Sequence, residues 1–138
     1  MEKKDLIIYC DGGSRGNPGP SASAFVAMED NKVIHKESKF LGIETNNIAE
    51  YSAVLFAVTW FSQLNPKTYS LITVNLDSQL VERQLNGVYK TKNTKLKIVH
   101  DKIKSLITKN KLNIKFVWNY REKNHLADSL VNQKLDSL

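Results

Sequence analysis

At 138 residues, 41% hydrophobic and 25% charged, the chain has the size and composition of one ordinary globular domain, residues 1–138, able to bury a core without staples. No apolar run approaches the ~20 residues of a membrane span, the apolar stretch behind Met1-Glu2-Lys3-Lys4-Asp5 is too short for a signal peptide, and the only cysteine, Cys10, excludes an internal disulfide, so a cytoplasmic protein is expected. The net charge of +6 is unevenly spread: residues 90–115 carry nine lysines against one acid, Asp101, which makes that segment +8 and the remainder −2.

The elements follow in chain order. Leu6-Ile7-Ile8-Tyr9-Cys10 is a short apolar run closing on Asp11-Gly12-Gly13 and reads as a buried strand. Ser14 to Pro20 is a turn rich in Gly, Asn and Pro. Ala24 to Met28 and the alternating Lys32 to Leu41, joined by Glu29-Asp30-Asn31, predict a hairpin of two further strands. Thr45 can cap a helix whose apolar stripe is Ala49, Ala53, Phe56, Ala57, Trp60 and Leu64, ended by Asn65-Pro66. Ser70 to Leu76 is a strand closing on Asp77, and Ser78 to Asn86 a short helix stopped by Gly87. Leu96, Val99, Ile103 and Leu106 lie at helical spacing among lysines. Leu112 to Trp118 alternates as a strand, and Asn124 can cap a last helix with Leu126, Leu130, Val131 and Leu135 inward. The order β β β α β α α β α predicts a mixed α/β domain: an antiparallel meander first, then strands parallel to the first one.

Four carboxylates stand out: Asp11 and Asp77 at the carboxyl ends of strands, Glu50 in the second turn of a helix, and Asp128 in the first turns of the last. Strand ends are where open α/β sheets place ligands. Clustered carboxylates repel one another and need cations to offset the repulsion. An all-oxygen set selects Mg²⁺ or Mn²⁺ over zinc, and two such ions are the usual device for hydrolysing a phosphodiester. The residues therefore point to a metal-dependent nuclease. Gly12 and Gly13 permit close approach of a nucleic-acid backbone. Asn47 lies three residues before Glu50, on the same helix face. Lys92, Asn93 and Thr94, at the start of the lysine-rich helix, are a candidate phosphate seat. No Gly-x-Gly-x-x-Gly or Walker pattern suggests a nucleotide cofactor.

Asp11-Gly12-Gly13…Gly16-Asn17-Pro18-Gly19-Pro20, Thr45-Asn46-Asn47…Glu50, Asp77-Ser78-Gln79 and Arg121-Glu122…Asn124…Ala127-Asp128 resemble the signature set of type 1 ribonuclease H, from about Leu6 to Leu135. The stretch Leu85 to Lys97 is similar to the compact archaeal and bacterial branch, without the basic handle. The resemblance implies a five-stranded sheet in the order 3-2-1-4-5 flanked by helices. It implies cleavage of the RNA strand of RNA–DNA hybrids to 5′-phosphate and 3′-hydroxyl ends, with weak sequence specificity. It assigns Asp11, Glu50, Asp77 and Asp128 to metal, and Asn17, Asn47 and Gln79 to the nucleic acid; Asn46, next to Asn47, is a further candidate contact. Duplex RNA is a further candidate substrate, and a monomer suffices.

Two departures are visible. Ser21-Ala22-Ser23 follows the turn where many relatives have glycine or alanine, which is expected to alter a strand edge rather than the chemistry. Asn119-Tyr120-Arg121-Glu122 stands where many relatives have Val-Pro-Arg-Glu. The competing readings are a catalytically weak binding module for hybrid or duplex RNA, and a nuclease of the transposase, integrase or resolvase kind. Intact acids argue against the first, and the lack of DNA-binding appendages against the second.

Overall fold

A computed structural model describes residues 4–64 and 69–138. The expected helix stop at Asn65-Pro66 and the first three residues lie outside the described residues. Strands β1 (Lys4–Ser14), β2 (Gly19–Glu29) and β3 (Lys32–Glu44) form an antiparallel meander. Helix α1 (Asn46–Ser62), strand β4 (Tyr69–Leu76), helices α2 (Gln79–Leu85) and α3 (Thr94–Lys109), strand β5 (Ile114–Trp118), a 3₁₀ turn (Arg121–Asn124) and helix α4 (His125–Asp136) follow. Both β4 and β5 run parallel to β1, and the sheet order is β3-β2-β1-β4-β5, as the resemblance implied. Among the described residues no helix is long and apolar enough to cross a membrane.

The local signals act as their chemistry requires. Thr45 accepts from the Ile48 amide at 3.2 Å and Ser78 from the Val81 amide at 3.2 Å, each supplying the side-chain acceptor that a helix N-terminus lacks. Gly87 ends the α2 segment at φ 77°, a conformation costly for a side chain bearing Cβ.

Leu6, Ile8 and Cys10 alternate onto the face of the sheet that α1 covers, and α3 packs outside α1. Helix α1 is thus buried on more than one side: Tyr51, Val54, Val58 and Phe61 join the expected Ala49, Ala53 and Ala57, whereas Leu64 is exposed. The opposite face holds a small second core, in which Ala22 and Ala24 let Val131 and Leu135 of α4 approach closely.

Three expectations give way to tertiary contacts. Asn124 makes no cap bond; its amide Nδ2 donates instead to the buried Cys10 carbonyl at 2.7 Å, tying the 3₁₀ turn to β1. Leu126 sits on the outer face of α4, 39% exposed. Ser21 and Ser23 lie on an interior strand, not an edge: Ser21 Oγ donates to the Gly19 carbonyl at 2.8 Å, and Ser23 Oγ to the Ala49 carbonyl of α1 at 2.5 Å.

Candidate active site

The parallel pairing of β1 with β4 sets Tyr9 beside Asn75. Two residues further along come Asp11, still within β1, and Asp77, which directly follows the end of β4. Glu50 reaches them because α1 lies unusually close to β1 at Gly12. A Cβ there would fall 2.1 Å from the Ala49 carbonyl oxygen and 2.5 Å from the Glu50 nitrogen. One carboxylate oxygen from each of Asp11, Glu50 and Asp77 lies within 4.8 Å of the others. The trio lines a cavity of about 260 Å³ with Ser14, Asn46, Arg121 and Asp128. Asp128, on α4, is outside the 4.8 Å group and pairs with Arg121 at 3.4 Å.

Electrostatics set this cluster apart from surface acids. Burial, then the charges of Asp77, Asp128 and Glu50, push the Asp11 carboxyl up to about 9. Burial and the charge of Asp77 raise Glu50 to about 7, against a lowering hydrogen bond from Ser78. Asp77 is raised by burial, and Arg121 opposes that shift. Glu50 Oε2 is buried with no hydrogen-bond partner. A buried carboxylate oxygen with nothing to accept from, converging with two more acids, has the chemistry of a site for hard cations.

A second cavity, of about 250 Å³, opens between the N-termini of α1 and α3 and is lined by Asn17, Glu44, Thr45, Asn47, Asn93 and Lys95 among others. Asn93 caps α3 through the Leu96 amide at 3.0 Å, and Lys95 Nζ reaches Glu44 at 2.7 Å. Asn17 Oδ1 accepts from the Asn46 amide at 3.2 Å, while Asn46 Oδ1 accepts from that of Ser14 at 2.8 Å, so both fasten the turn after β1 to the start of α1. Gly12 and Gly13 line the acidic cavity, but the small size of Gly12 is demanded by α1. Gln79, Lys92 and Thr94 are exposed and line neither cavity.

Sequence reasoning missed Arg15 and Asn132 on the cavity wall. Asn132 Nδ2 donates to the Asp128 carbonyl at 3.2 Å, a spacing of four on one helix that was open to view. Arg15 pairs with Asp136 at 2.5 Å, far away in sequence and without a local signal.

A family model described as reverse transcriptase-like matches residues 9–134. The chain is 35% identical to ribonuclease HI of Halobacterium salinarum over 130 residues, 93% of this chain and 63% of that protein. It superimposes on the crystal structure of LC11-RNase H1 in complex with RNA/DNA hybrid with a TM-score of 0.91, at 39% identity over 96% of this chain and 97% of that one. The chain belongs to the type 1 ribonuclease H family. Ribonuclease H1 of H. salinarum gives a TM-score of 0.88 at 32% identity, over 97% of this chain and 99% of that one. The chain is also 33% identical to a bifunctional protein of Mycobacterium tuberculosis over 134 residues, spanning 96% of itself but only about a third, 36%, of that relative's length. Within a ribonuclease H fold, the orphaned Glu50 oxygen and the three converging carboxylates fit a divalent metal.

Proposed function

We propose that this chain is a single ribonuclease H domain that cuts the RNA strand of RNA–DNA hybrids endonucleolytically, leaving 5′-phosphate and 3′-hydroxyl ends. The observation that carries the reading is the trio Asp11, Glu50 and Asp77, converged within 4.8 Å around a buried, partnerless Glu50 oxygen. The bound RNA/DNA hybrid of the LC11 relative supports the substrate class.

Asp11, Glu50 and Asp77, with Asp128 beside them, would hold two Mg²⁺ or Mn²⁺ ions. When bound, such ions lower the pKa of an attacking water and stabilise charge on the leaving 3′-oxygen. The protein's own part is positioning: β1, β4 and α1 fix the carboxylates before substrate arrives, so little reorganisation is left for the reaction. Arg121, its side chain 75% exposed, offers a guanidinium at the cavity rim for a phosphate oxygen.

The amides of Asn17, Asn47 and Gln79 both donate and accept, which suits a 2′-hydroxyl and explains weak sequence preference, because none of this reads bases. The cavity between the α1 and α3 N-termini, with Asn93 and Lys95 on its wall and Lys92 and Thr94 the exposed neighbours of Asn93 in sequence, is a seat for a phosphate of the DNA strand. The +8 segment draws in the polyanion, so affinity should fall steeply with salt. A monomer supplies every residue named, and the buried thiol of Cys10 suits a cytoplasmic setting.

The test is cleavage of one labelled sequence as RNA–DNA hybrid, duplex RNA and duplex DNA, in Mg²⁺, Mn²⁺ and EDTA, beside Asp77→Asn. Metal-dependent cutting of the RNA strand of the hybrid alone, lost in the variant, is expected. Equal cutting of duplex RNA would overturn the specificity. Binding without cutting would overturn the enzyme reading in favour of a binding module.

A further inference from the structure

Two aromatic rings that face solvent are joined to residues of the acidic cavity, one by a hydrogen bond to Asp77 and the other as the residue before Arg121. Trp118, the last residue of β5, is 36% exposed, and Tyr120, which begins the 3₁₀ turn, is 66% exposed. Their rings meet edge to face with centroids 5.3 Å apart, a geometry that leaves a ring face uncovered. Neither ring belongs to the two apolar cores.

The pair is held in place and close to the chemistry. Trp118 Nε1 donates to the backbone carbonyl of Asp77 at 3.3 Å, so the indole is anchored to one of the cavity acids. The Asn119 amide donates to the Leu76 carbonyl at 2.8 Å, and the Lys123 amide to the Tyr120 carbonyl at 3.0 Å, which fix the backbone on both sides of Tyr120. The next residue, Arg121, lines the cavity itself, and Lys123 is exposed nearby. Large exposed aromatics beside exposed cations, on a rigid support, are the makings of a nucleic-acid stacking platform.

A base inside a duplex shows only its edge in the grooves, because its faces are covered by neighbouring bases. An aromatic face therefore gains most from a base that is unpaired. We propose that Trp118 and Tyr120 stack on an unpaired ribonucleotide adjoining the hybrid, so that the domain favours cleavage near the point where RNA leaves its DNA partner. This rests on the ribonuclease H reading and adds a specificity-determining surface to it. The RNA strand is the one engaged, because the platform is joined through Asp77 and Arg121 to the cavity where that strand must lie to be cut.

The test uses hybrids of one sequence, blunt or with a two-nucleotide RNA overhang carrying 2-aminopurine at the 5′ end in one and the 3′ end in another. Binding is read by 2-aminopurine fluorescence with calcium in place of magnesium, and KM and kcat by cleavage in magnesium. For the wild type, one overhang polarity should be quenched and should bind about tenfold more tightly than the blunt hybrid. Tyr120→Ala should abolish both differences while leaving kcat on the blunt hybrid unchanged, and Tyr120→Phe should keep them. Trp118→Phe, which retains a ring, should keep most of the quenching. If neither overhang is quenched, or Tyr120→Ala binds overhang and blunt hybrids in the wild-type ratio, the platform does not exist, and the patch is left for a protein partner. If the wild type is quenched but cuts no hybrid, the ribonuclease H reading fails while the platform stands.

Discussion

Replacing Gly12 by alanine should damage the site from within the fold. The added methyl would lie 2.1 Å from the Ala49 carbonyl oxygen, 2.2 Å from its carbon and 2.5 Å from the Glu50 nitrogen, all backbone atoms that cannot rotate away. Ordinary contact begins near 3.4 Å, so α1 must retreat from β1 by more than 1 Å where Ser23 Oγ also bonds Ala49. Overpacking of this kind costs about 1–3 kcal/mol, and with no side chain free to yield the upper end is expected. For a urea dependence of about 1.5 kcal/mol per molar, that lowers the midpoint by about 2 M. Glu50 moves with the helix, and a displacement on the order of 1 Å at a reacting centre costs about a hundredfold in rate. Gly13→Ala is the control, because its methyl would meet only a Val131 methyl, at 3.5 Å. Urea unfolding, magnesium titration by calorimetry and hybrid cleavage would be measured for both variants. A Gly12→Ala protein with the wild-type midpoint and a rate within about threefold would refute the argument that this contact sets the position of Glu50.

Other consequences are open to measurement. In EDTA the folded Asp11 and Glu50 carboxyls, at about 9 and about 7, hold protons that the unfolded chain releases near pH 4. Their contribution to stability is therefore fully present below about pH 4 and is lost as pH rises through both folded values. Melting temperature without metal should fall between pH 5 and 9, and saturating Mg²⁺ should flatten the decline; a metal-free profile that rises over this range contradicts the assigned shifts. Asp11→Asn should melt about 3 °C or more higher than wild type in EDTA at pH 8, lose the stabilisation by Mg²⁺, and not cut. Asn124→Ala strands the buried Cys10 carbonyl and should cost about 1–3 kcal/mol in urea unfolding, with faster amide exchange in the 3₁₀ turn; unchanged exchange there would show that the bond is dispensable. Lys92→Ala with Lys95→Ala should weaken hybrid binding and reduce its salt slope by about two, whereas an unaltered slope would remove these lysines from the interface.

The parts of this fold legible in the sequence are those that local chemistry dictates. Thr45 and Ser78 cap the helices they precede, because a hydroxyl one step before a helix has a nearby amide to serve. The acids were readable as a group because each sits in a short motif near an end of its element, and the pairing of β1 with β4, which runs to Tyr9 and Asn75, then brings Asp11 and Asp77 to the same end of the sheet. What escaped reading was decided by distant partners. Asn124 has the residue type of a cap, yet a carbonyl 114 residues away offers a buried bond that water does not contest. Arg15 looks like turn filler until α4 brings Asp136 to it. Ser21 and Ser23 look like edge residues until β3 pairs outside them. Helix α1 shows a single stripe in sequence, but it is enclosed by the sheet and by α3, so Tyr51 and Phe61 off that stripe are buried as well.

The register of β1 against β4 has a consequence for the timing of synthesis. The carboxylates come from residues 11, 50 and 77, and β4 is flanked by β5, which ends only at Trp118. A chain leaving the ribosome in order holds its first acid long before it holds the sheet that aligns the others, and such long-range strand pairing forms slowly. The trio therefore converges only once residue 77 has been made and β4 has paired with β1, so a shorter nascent chain holds no complete acidic centre.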